Sequence, residues 1–182
     1  MKQMKIVVSG LPRSGTSLMM QILERCGYTI QQNYMRVPDS NNPNGYYEDE
    51  RVKRLHLDHS WVDETEGKVI KVVSHQLKHF PLTMSDKVIF MNRDLDEVIQ
   101  SQNILAGLDS EDEEKIKHYY IRHLSETWDM LDEVTQYLIV KHDELLTITF
   151  EVLSGVFKFL EVSPVMEDVI SVVDTGLWRN RK

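Results

Sequence analysis

The sequence contains a single cysteine, Cys26, and this scarcity excludes an intramolecular disulfide. Cys26 falls on the apolar side of a predicted helix, which favours a buried structural thiol over a nucleophile. No apolar run approaches the roughly 20 residues of a membrane-spanning helix, and the run near the amino terminus is too short for a signal peptide. From these absences we expect a soluble protein of the cytoplasm.

Basic residues are also scarce, because 21 Lys and Arg stand against 29 Asp and Glu and give a net charge of −8. Broad binding to nucleic acid or to an anionic membrane needs a basic surface that displaces counterions. We therefore expect neither kind of partner, and any anionic ligand must be held by a local basic site. The sequence also lacks clustered His, Cys and Asp at metal-ligand spacing, so no metal is expected.

The remaining composition is that of one globular domain covering residues 1–182, with 41% hydrophobic and 27% charged residues. Short β-branched runs are almost continuously apolar, which is typical of parallel strands covered on both faces; they occupy 5–10, 68–74, 87–93 and 137–142. Helical patterns lie at 14–26, 95–105, 111–134, 150–160 and 166–172. The alternation predicts a three-layer α/β/α fold with a mainly parallel sheet, whose ligands bind beyond the carboxyl ends of the strands.

A phosphate-binding loop, GLPRSGTS, follows the first strand and opens the first helix. Gly10, Gly15 and Ser17 match the P-loop pattern G-x-x-x-x-G-K-[ST], but Thr16 replaces its lysine. The amides at the helix start can still bind a phosphate. Without the lysine, transfer of the terminal phosphoryl group of ATP is poorly supported, and Arg13 supplies a cation instead. The alternative is a strand-to-helix turn with no catalytic role.

This loop resembles the first signature of the PAPS-dependent sulfotransferases, P-[KR]-S-G-[TS]-[TS], where PAPS is 3′-phosphoadenosine 5′-phosphosulfate. The resemblance implies a P-loop NTPase-like fold and PAPS as the donor, with no metal required. It also implies that the loop binds the 5′-phosphosulfate group and that Arg13 stabilises the bridging oxygen. The residues of this implied site are Pro12, Arg13, Ser14, Gly15, Thr16, Ser17 and Leu18.

A second signature of the same family is a strand that ends in Arg-Asp, with a serine eight positions after the arginine. Arg93 and Asp94 end the third predicted strand, and Ser101 follows at that spacing. By resemblance, Arg93 and Ser101 would bind the 3′-phosphate of the donor, a group that ATP lacks. A guanidinium can hold phosphate through two parallel hydrogen bonds. The alternative is that Arg93 pairs with a nearby carboxylate, such as Asp96 or Glu97.

Weaker similarities to small bacterial sulfotransferases extend over most of the chain. They include NPNGYYED at 42–49 and the segment 140–162, where His142 begins an approximate match to a Y-E-D-L pattern. The carboxyl-terminal LWRNRK resembles a tail that gives a basic residue to the 3′-phosphate, which would be Arg179 or Arg181.

Several residues are candidates for the group that removes a proton from the acceptor. Glu48 follows the irregular segment 31–47, where several sulfotransferases carry a catalytic glutamate. The alternative is that Glu48 is a solvated acid or a cap on a helix that begins near Asp49. His75 follows a strand near the place of a catalytic histidine in the aryl enzymes, but Lys71 is four positions away instead of two. Asp49 ranks third. Lys71 is an awkward residue for a buried strand, which favours a functional role for it.

The sequence thus predicts transfer of a sulfuryl group from PAPS to a hydroxyl or amine of a small-molecule or glycan acceptor, releasing adenosine 3′,5′-bisphosphate (PAP). The alternatives are a P-loop nucleotide or small-molecule kinase, and a non-catalytic protein that binds PAP or another nucleotide. Because the chain is short, we expect an open acceptor cleft, or a pocket completed by segment 31–47 or by the second subunit of a homodimer.

Overall fold

Five parallel strands form the centre of the molecule. A computed structural model describes residues 3–33, 42, 45–107, 112–174 and 176. The strands are β1 (Ile6–Gly10), β2 (Ile30–Gln31), β3 (Val69–Val73), β4 (Lys87–Asn92) and β5 (Gln136–Lys141). Their order is β2-β3-β1-β4-β5, and every pair is parallel. The mainly parallel sheet predicted from the apolar runs is therefore confirmed.

Helices cover both faces of this sheet. They are α1 (Thr16–Arg25), α2 (Ser74–Leu77), α3 (Leu95–Ala106), α4 (Glu113–Val134), α5 (His142–Thr147), α6 (Thr149–Leu160) and α7 (Met166–Ile170). Two short 3-10 helices, Glu50–Arg54 and Ser60–Thr65, lie between β2 and β3. A crossover connection follows each of the first four strands, which lets all the strands run in one direction.

Alternate residues of each central strand supply two separate hydrophobic cores. Val7 of β1 and Phe90 of β4 pack with α2, α3 and α4 on one face. Ile6 of β1 and Met91 of β4 pack with α1, α5, α6 and α7 on the other. Because both faces of the strands are buried, their sequences read as continuous apolar runs. The three-layer α/β/α fold is confirmed.

Several short elements were not predicted: β2, α2, α5 and the second 3-10 helix. Each spans six residues or fewer, which is too short to produce a recognisable hydrophobic period. Most of the predicted segment 31–47, and Arg179 and Arg181 of the tail, lie outside the described residues. Among the described residues, no helix combines the length and apolar character needed to span a membrane.

Candidate functional site

The loop between β1 and α1 depends on two glycines with positive φ. Gly10 has φ 148° and Gly15 has φ 94°. A Cβ atom on Gly10 would collide with the Ser14 hydroxyl and the Met91 carbonyl, and one on Gly15 would lie 2.6 Å from the His142 ring. The two glycines therefore let the loop turn closely over the ends of β4 and β5, the edge where open α/β sheets bind ligands.

The start of α1 is suited to an anion. Within the described part of the chain, no side chain caps this helix and no acidic residue occupies its first turn. The first amides of a helix have no partner inside it, and the helix dipole adds partial positive charge at that end. Ser14 and Thr16 are buried. Leu18 lies on α1, and its partly buried side chain packs against the hydrophobic core. Leu18 therefore offers only its amide to a ligand.

Arg13 is held by α3 and by the end of β4. It is one of the non-glycine residues with positive φ, at 75°. Its Nε donates to Ser101 Oγ at 2.9 Å, and Arg93 Nη1 donates to the Arg13 carbonyl at 3.0 Å. The three residues that the two signatures predicted thus meet at one place.

Arg93 also forms an ion pair with a buried carboxylate. Its Nε donates to Glu97 Oε2 at 2.8 Å, and both side chains are less than a tenth exposed. Arg93 therefore makes both contacts: it pairs with Glu97, which was the alternative interpretation, and it donates to the Arg13 carbonyl of the phosphate loop. Binding of a 3′-phosphate by Arg93 and Ser101 stays a prediction.

Lys71 and Glu48 meet on the other side of the loop. Lys71 projects from β3 with a nearly buried side chain, and its Nζ lies 3.2 Å from Glu48 Oε1 and 3.2 Å from Ser17 Oγ. Nζ also donates to the Tyr46 carbonyl at 2.6 Å. This pairing removes the difficulty of a charged amine within a buried strand. It also places Glu48, the first candidate for the base, near the Ser17 hydroxyl of the loop.

Asp49, by contrast, has a structural position. Its carboxylate accepts hydrogen bonds from Gln31 and from the side chain and amide of Arg51, and it caps the first 3-10 helix. Burial alone would raise the pKa of Asp49, but the bonds from Arg51 and Gln31 outweigh it and hold the pKa below its usual value. A carboxylate so strongly held is a weak base.

His75 lies on α2, and its ring contacts α4. Its ring stacks on His123 with 4.2 Å between centroids, and it contacts the rings of Tyr119 and Tyr120. Burial, with a smaller effect from Lys78, lowers the pKa of His75. Within the described residues these ring contacts are with α4 and not with the Glu48–Lys71 pair, so a role for His75 as the base stays a prediction.

A cavity of about 550 Å³ opens between α4 and the ends of β4 and β5. Its lining includes Arg93, Glu97, Trp128, Lys141 and Asp143. Because Arg93 both lines the cavity and contacts the loop, the cavity adjoins the phosphate-binding region. It combines apolar surface with charges of both signs.

Two residues at the site, Gln102 and Tyr120, belong to neither signature, and a third, His142, was noted only for its approximate match to the Y-E-D-L pattern. Gln102 donates to the Pro12 carbonyl, Tyr120 donates to Gln102, and the buried ring of His142 lies against Gly15. Burial, followed by the charge of Arg93, lowers the pKa of His142 to about 4. A further signal for His142 was its place at the end of the predicted strand 137–142, at the edge where ligands bind.

Comparison with solved structures identifies the class of fold. No protein-family model and no curated protein matches the sequence. Shikimate kinase from Bacteroides thetaiotaomicron matches with TM-score 0.50 at 16% identity, over 87% of this chain and 99% of the kinase. This likeness and the loop geometry define an α/β P-loop fold.

Within that class, the fold is of the sulfotransferase type. The sulfotransferase domain from the Synechococcus PCC 7002 olefin synthase matches with TM-score 0.59 at 15% identity, over 98% of this chain and 80% of that domain. The mouse sulfotransferase SULT7A1 complexed with PAP matches with TM-score 0.55 at 11% identity, over 97% of this chain and 67% of that protein. The TM-scores support a sulfotransferase-type fold, whereas identities of 11–15% leave the donor and the acceptor to be inferred.

Proposed function

We propose that this chain transfers a sulfuryl group from PAPS to a hydroxyl or amine acceptor and releases PAP. The observation that carries the proposal is the phosphate loop with its two flanking groups. Arg13, Ser101 and Arg93 meet on one side, and Lys71 with Glu48 meets Ser17 on the other. One side is suited to a nucleotide phosphate, and the other to the activation of an acceptor.

The residues of the loop fit such a donor. The positive-φ glycines let the loop turn closely over β4 and α5, and the start of α1 offers amides beside the Arg13 side chain. Arg93 and Ser101 would hold the 3′-phosphate, and the cavity that Arg93 lines offers Trp128 as apolar surface for a nucleoside. This arrangement meets the donor's negative charges with side chains and amides, so the proposal needs no metal.

Glu48 is the proposed general base. The acceptor oxygen or nitrogen bonds to sulfur, the bond from sulfur to the bridging oxygen breaks with its electron pair left on that oxygen, and the acceptor proton passes to Glu48. Arg13 and the loop amides stabilise the negative charge that develops on the bridging oxygen. Lys71 fixes the Glu48 carboxylate and the Ser17 hydroxyl in position through its contacts at 3.2 Å.

A second candidate function rests on one specific observation. Lys71 brings an ammonium group to within 3.2 Å of Ser17 from a neighbouring strand, and it could replace the lysine that the loop lacks. This arrangement favours a P-loop kinase. The kinase would need ATP and magnesium, whereas the sulfotransferase needs neither.

Binding and transfer measurements separate these functions. We expect PAP to raise the unfolding temperature in the presence of EDTA, and we expect labelled sulfate to move from PAPS to an acceptor panel. Glu48→Gln keeps an oxygen for Lys71 but cannot accept the proton, so transfer should slow about 10²- to 10⁴-fold while PAP binding is unchanged.

Glu50→Gln is the matched control, because Glu50 lies at the surface beside Lys53. A shift with ATP and magnesium but none with PAP would overturn the assignment in favour of the kinase. PAP binding with no transfer would indicate a non-catalytic nucleotide-binding protein. Unchanged turnover in Glu48→Gln would make His75 the leading base.

A further inference from the structure

We infer that Gln102 and Tyr120 form a relay that positions the phosphate loop, a role that neither signature assigns to them. Gln102 lies on α3 and its Nε2 donates to the Pro12 carbonyl at 2.9 Å. Tyr120 lies on α4 and its hydroxyl donates to Gln102 Oε1 at 2.6 Å. The relay thus links the loop to the layer of helices that covers one face of the sheet.

The direction of the two hydrogen bonds gives the relay its effect. The Gln102 amide has one accepting and one donating end, and the Tyr120 hydroxyl occupies the accepting end. The donating end faces the Pro12 carbonyl, which can only accept a hydrogen bond. Tyr120 is 8% exposed, so its position is set by the packing of α4. Tyr120 therefore anchors the oxygen end of the Gln102 amide, while the Pro12 carbonyl requires its donating end.

The contact acts on Arg13 through the backbone. In a planar trans peptide, the carbonyl of one residue and the amide N–H of the next point in opposite directions. Holding the Pro12 carbonyl toward α3 therefore fixes the direction of the Arg13 N–H. Arg13 has φ 75°, a conformation that costs an L-residue free energy and persists only where the surroundings enforce it. Gln102 is one of the groups that enforce it.

Two adjacent residues of α3 consequently hold Arg13 at two points. Ser101 accepts from the Arg13 side chain at 2.9 Å, and Gln102 binds the peptide that precedes Arg13. One contact orients the guanidinium and the other orients the backbone. Gln102 and Tyr120 are positioning residues, since they act on the donor site only through the loop.

The relay is tested on loop geometry as well as on ligand binding, because its role in PAP binding rests on the proposed function. Tyr120→Phe removes the hydroxyl and keeps the ring, whereas Gln102→Leu removes both bonds. Gln102→Glu can still accept from Tyr120 but cannot donate to Pro12. The readouts are exchange of the Ser14 amide, which donates to the Leu11 carbonyl, and the affinities for PAP and pyrophosphate.

We expect each variant to weaken PAP and pyrophosphate binding about three- to ten-fold, the loss that one neutral hydrogen bond produces. Ser14 exchange should accelerate by a similar factor, and exchange at Ile89 in β4, the reporter of global unfolding, should accelerate by no more than that factor. The double variant Tyr120→Phe with Gln102→Leu should be no worse than Gln102→Leu alone. Tyr119→Phe and Asn103→Ala are matched controls on the same two helices and should resemble the unmodified protein.

Unchanged Ser14 exchange and unchanged affinities in Tyr120→Phe and Gln102→Leu would overturn the relay. Acceleration at Ile89 without acceleration at Ser14 would also overturn it, because the residues would then serve global stability and not the loop. If the unmodified protein binds pyrophosphate but not PAP, and the variants still weaken pyrophosphate binding, the relay stands and the proposed donor is wrong.

Discussion

Arg93 divides its guanidinium between the Glu97 carboxylate, at 2.8 Å, and the Arg13 carbonyl, at 3.0 Å. A phosphate that approached Arg93 would therefore meet the negative charge of Glu97 as well. Removing Arg93 would take away a cation that pairs with the buried Glu97 carboxylate, and a change of this kind destabilises proteins strongly. Changing Glu97 is the cleaner way to test whether Arg93 binds a 3′-phosphate.

Glu97→Gln should tighten PAP binding. The change removes a negative charge beside Arg93 and keeps an oxygen that can accept from its Nε. A screened charge interaction of this kind is on the order of 1 kcal/mol, which corresponds to roughly a five-fold change in the dissociation constant. Calorimetry with PAP and with adenosine 5′-phosphosulfate, which has no 3′-phosphate, measures the effect.

The comparison of the two nucleotides is the critical part of this experiment. Asp96→Asn is the matched control, since Asp96 lies next to Glu97 on α3 but pairs with Lys117. If Glu97→Gln changed the affinity for both nucleotides equally, Arg93 would have no specific role toward the 3′-phosphate.

Individual site residues were predictable to the extent that a local pattern marks them. The loop residues, Arg93 and Ser101 carry fixed spacings, and Lys71 was conspicuous as a charge within an apolar strand. Gln102 and Tyr120 carry no such pattern. They act through contacts between α3, α4 and the loop, and ordinary polar residues on a helix give no indication of a tertiary partner.

At the scale of elements, the junction of β1, the loop and α1 is the part least tolerant of change. Gly15 combines φ 94° with a contact of 2.6 Å between its added Cβ position and the His142 ring. Gly15→Ala therefore faces both backbone strain and a collision with a buried ring. We expect the variant to lose PAP and pyrophosphate binding at least ten-fold, as measured by calorimetry.

Gly155→Ala provides the contrast. Gly155 lies within α6, and a Cβ atom there meets nothing within 4 Å. This variant should keep its ligand affinity and gain about 0.5–1 kcal/mol of stability, because alanine favours the helix and restricts the unfolded chain. Retention of full phosphate affinity by Gly15→Ala would show that the close approach of the loop to α5 is dispensable.

Elements with a strong hydrophobic period were predicted within a few residues, and elements without one were missed. β4 was expected at 87–93 and spans Lys87–Asn92, and α4 was expected at 111–134 and spans Glu113–Val134. The two-residue strand β2 forms by pairing with β3, so its cause lies in the tertiary structure and not in its own sequence. The same holds for α5, which begins at His142 where β5 ends.

At the scale of the whole molecule, a histidine lies on each face of the sheet: His142 is buried and His123 is half-buried. Burial and the charge of Arg93 lower the pKa of His142 to about 4, and burial and His75 lower the pKa of His123 to about 4. Both side chains are neutral in the folded protein near pH 7, and both accept protons more readily in the unfolded chain, where the pKa is about 6.5. Folding stability is therefore linked to pH through these two residues.

The sign of this linkage follows from the lowered pKa values. A proton binds the unfolded chain first as the pH falls, so stability is complete above about pH 6.5 and is lost between about pH 6.5 and pH 4. For the buried His142, we expect the free energy of unfolding to fall by about 2 kcal/mol between pH 7.5 and pH 5. Urea denaturation at the two pH values measures this difference.

His142→Gln should remove the His142 part of this pH dependence, whatever its effect on stability at pH 7.5, because glutamine does not titrate. The exposed His118 is the control, and His118→Gln should keep the full loss. The buried carboxylate of Asp49 does not obscure the result, since the Arg51 and Gln31 bonds hold its pKa below the usual value and its effect begins only at lower pH. An undiminished loss of stability in His142→Gln would mean that the imidazole against Gly15 titrates no differently in the folded protein than in the unfolded chain.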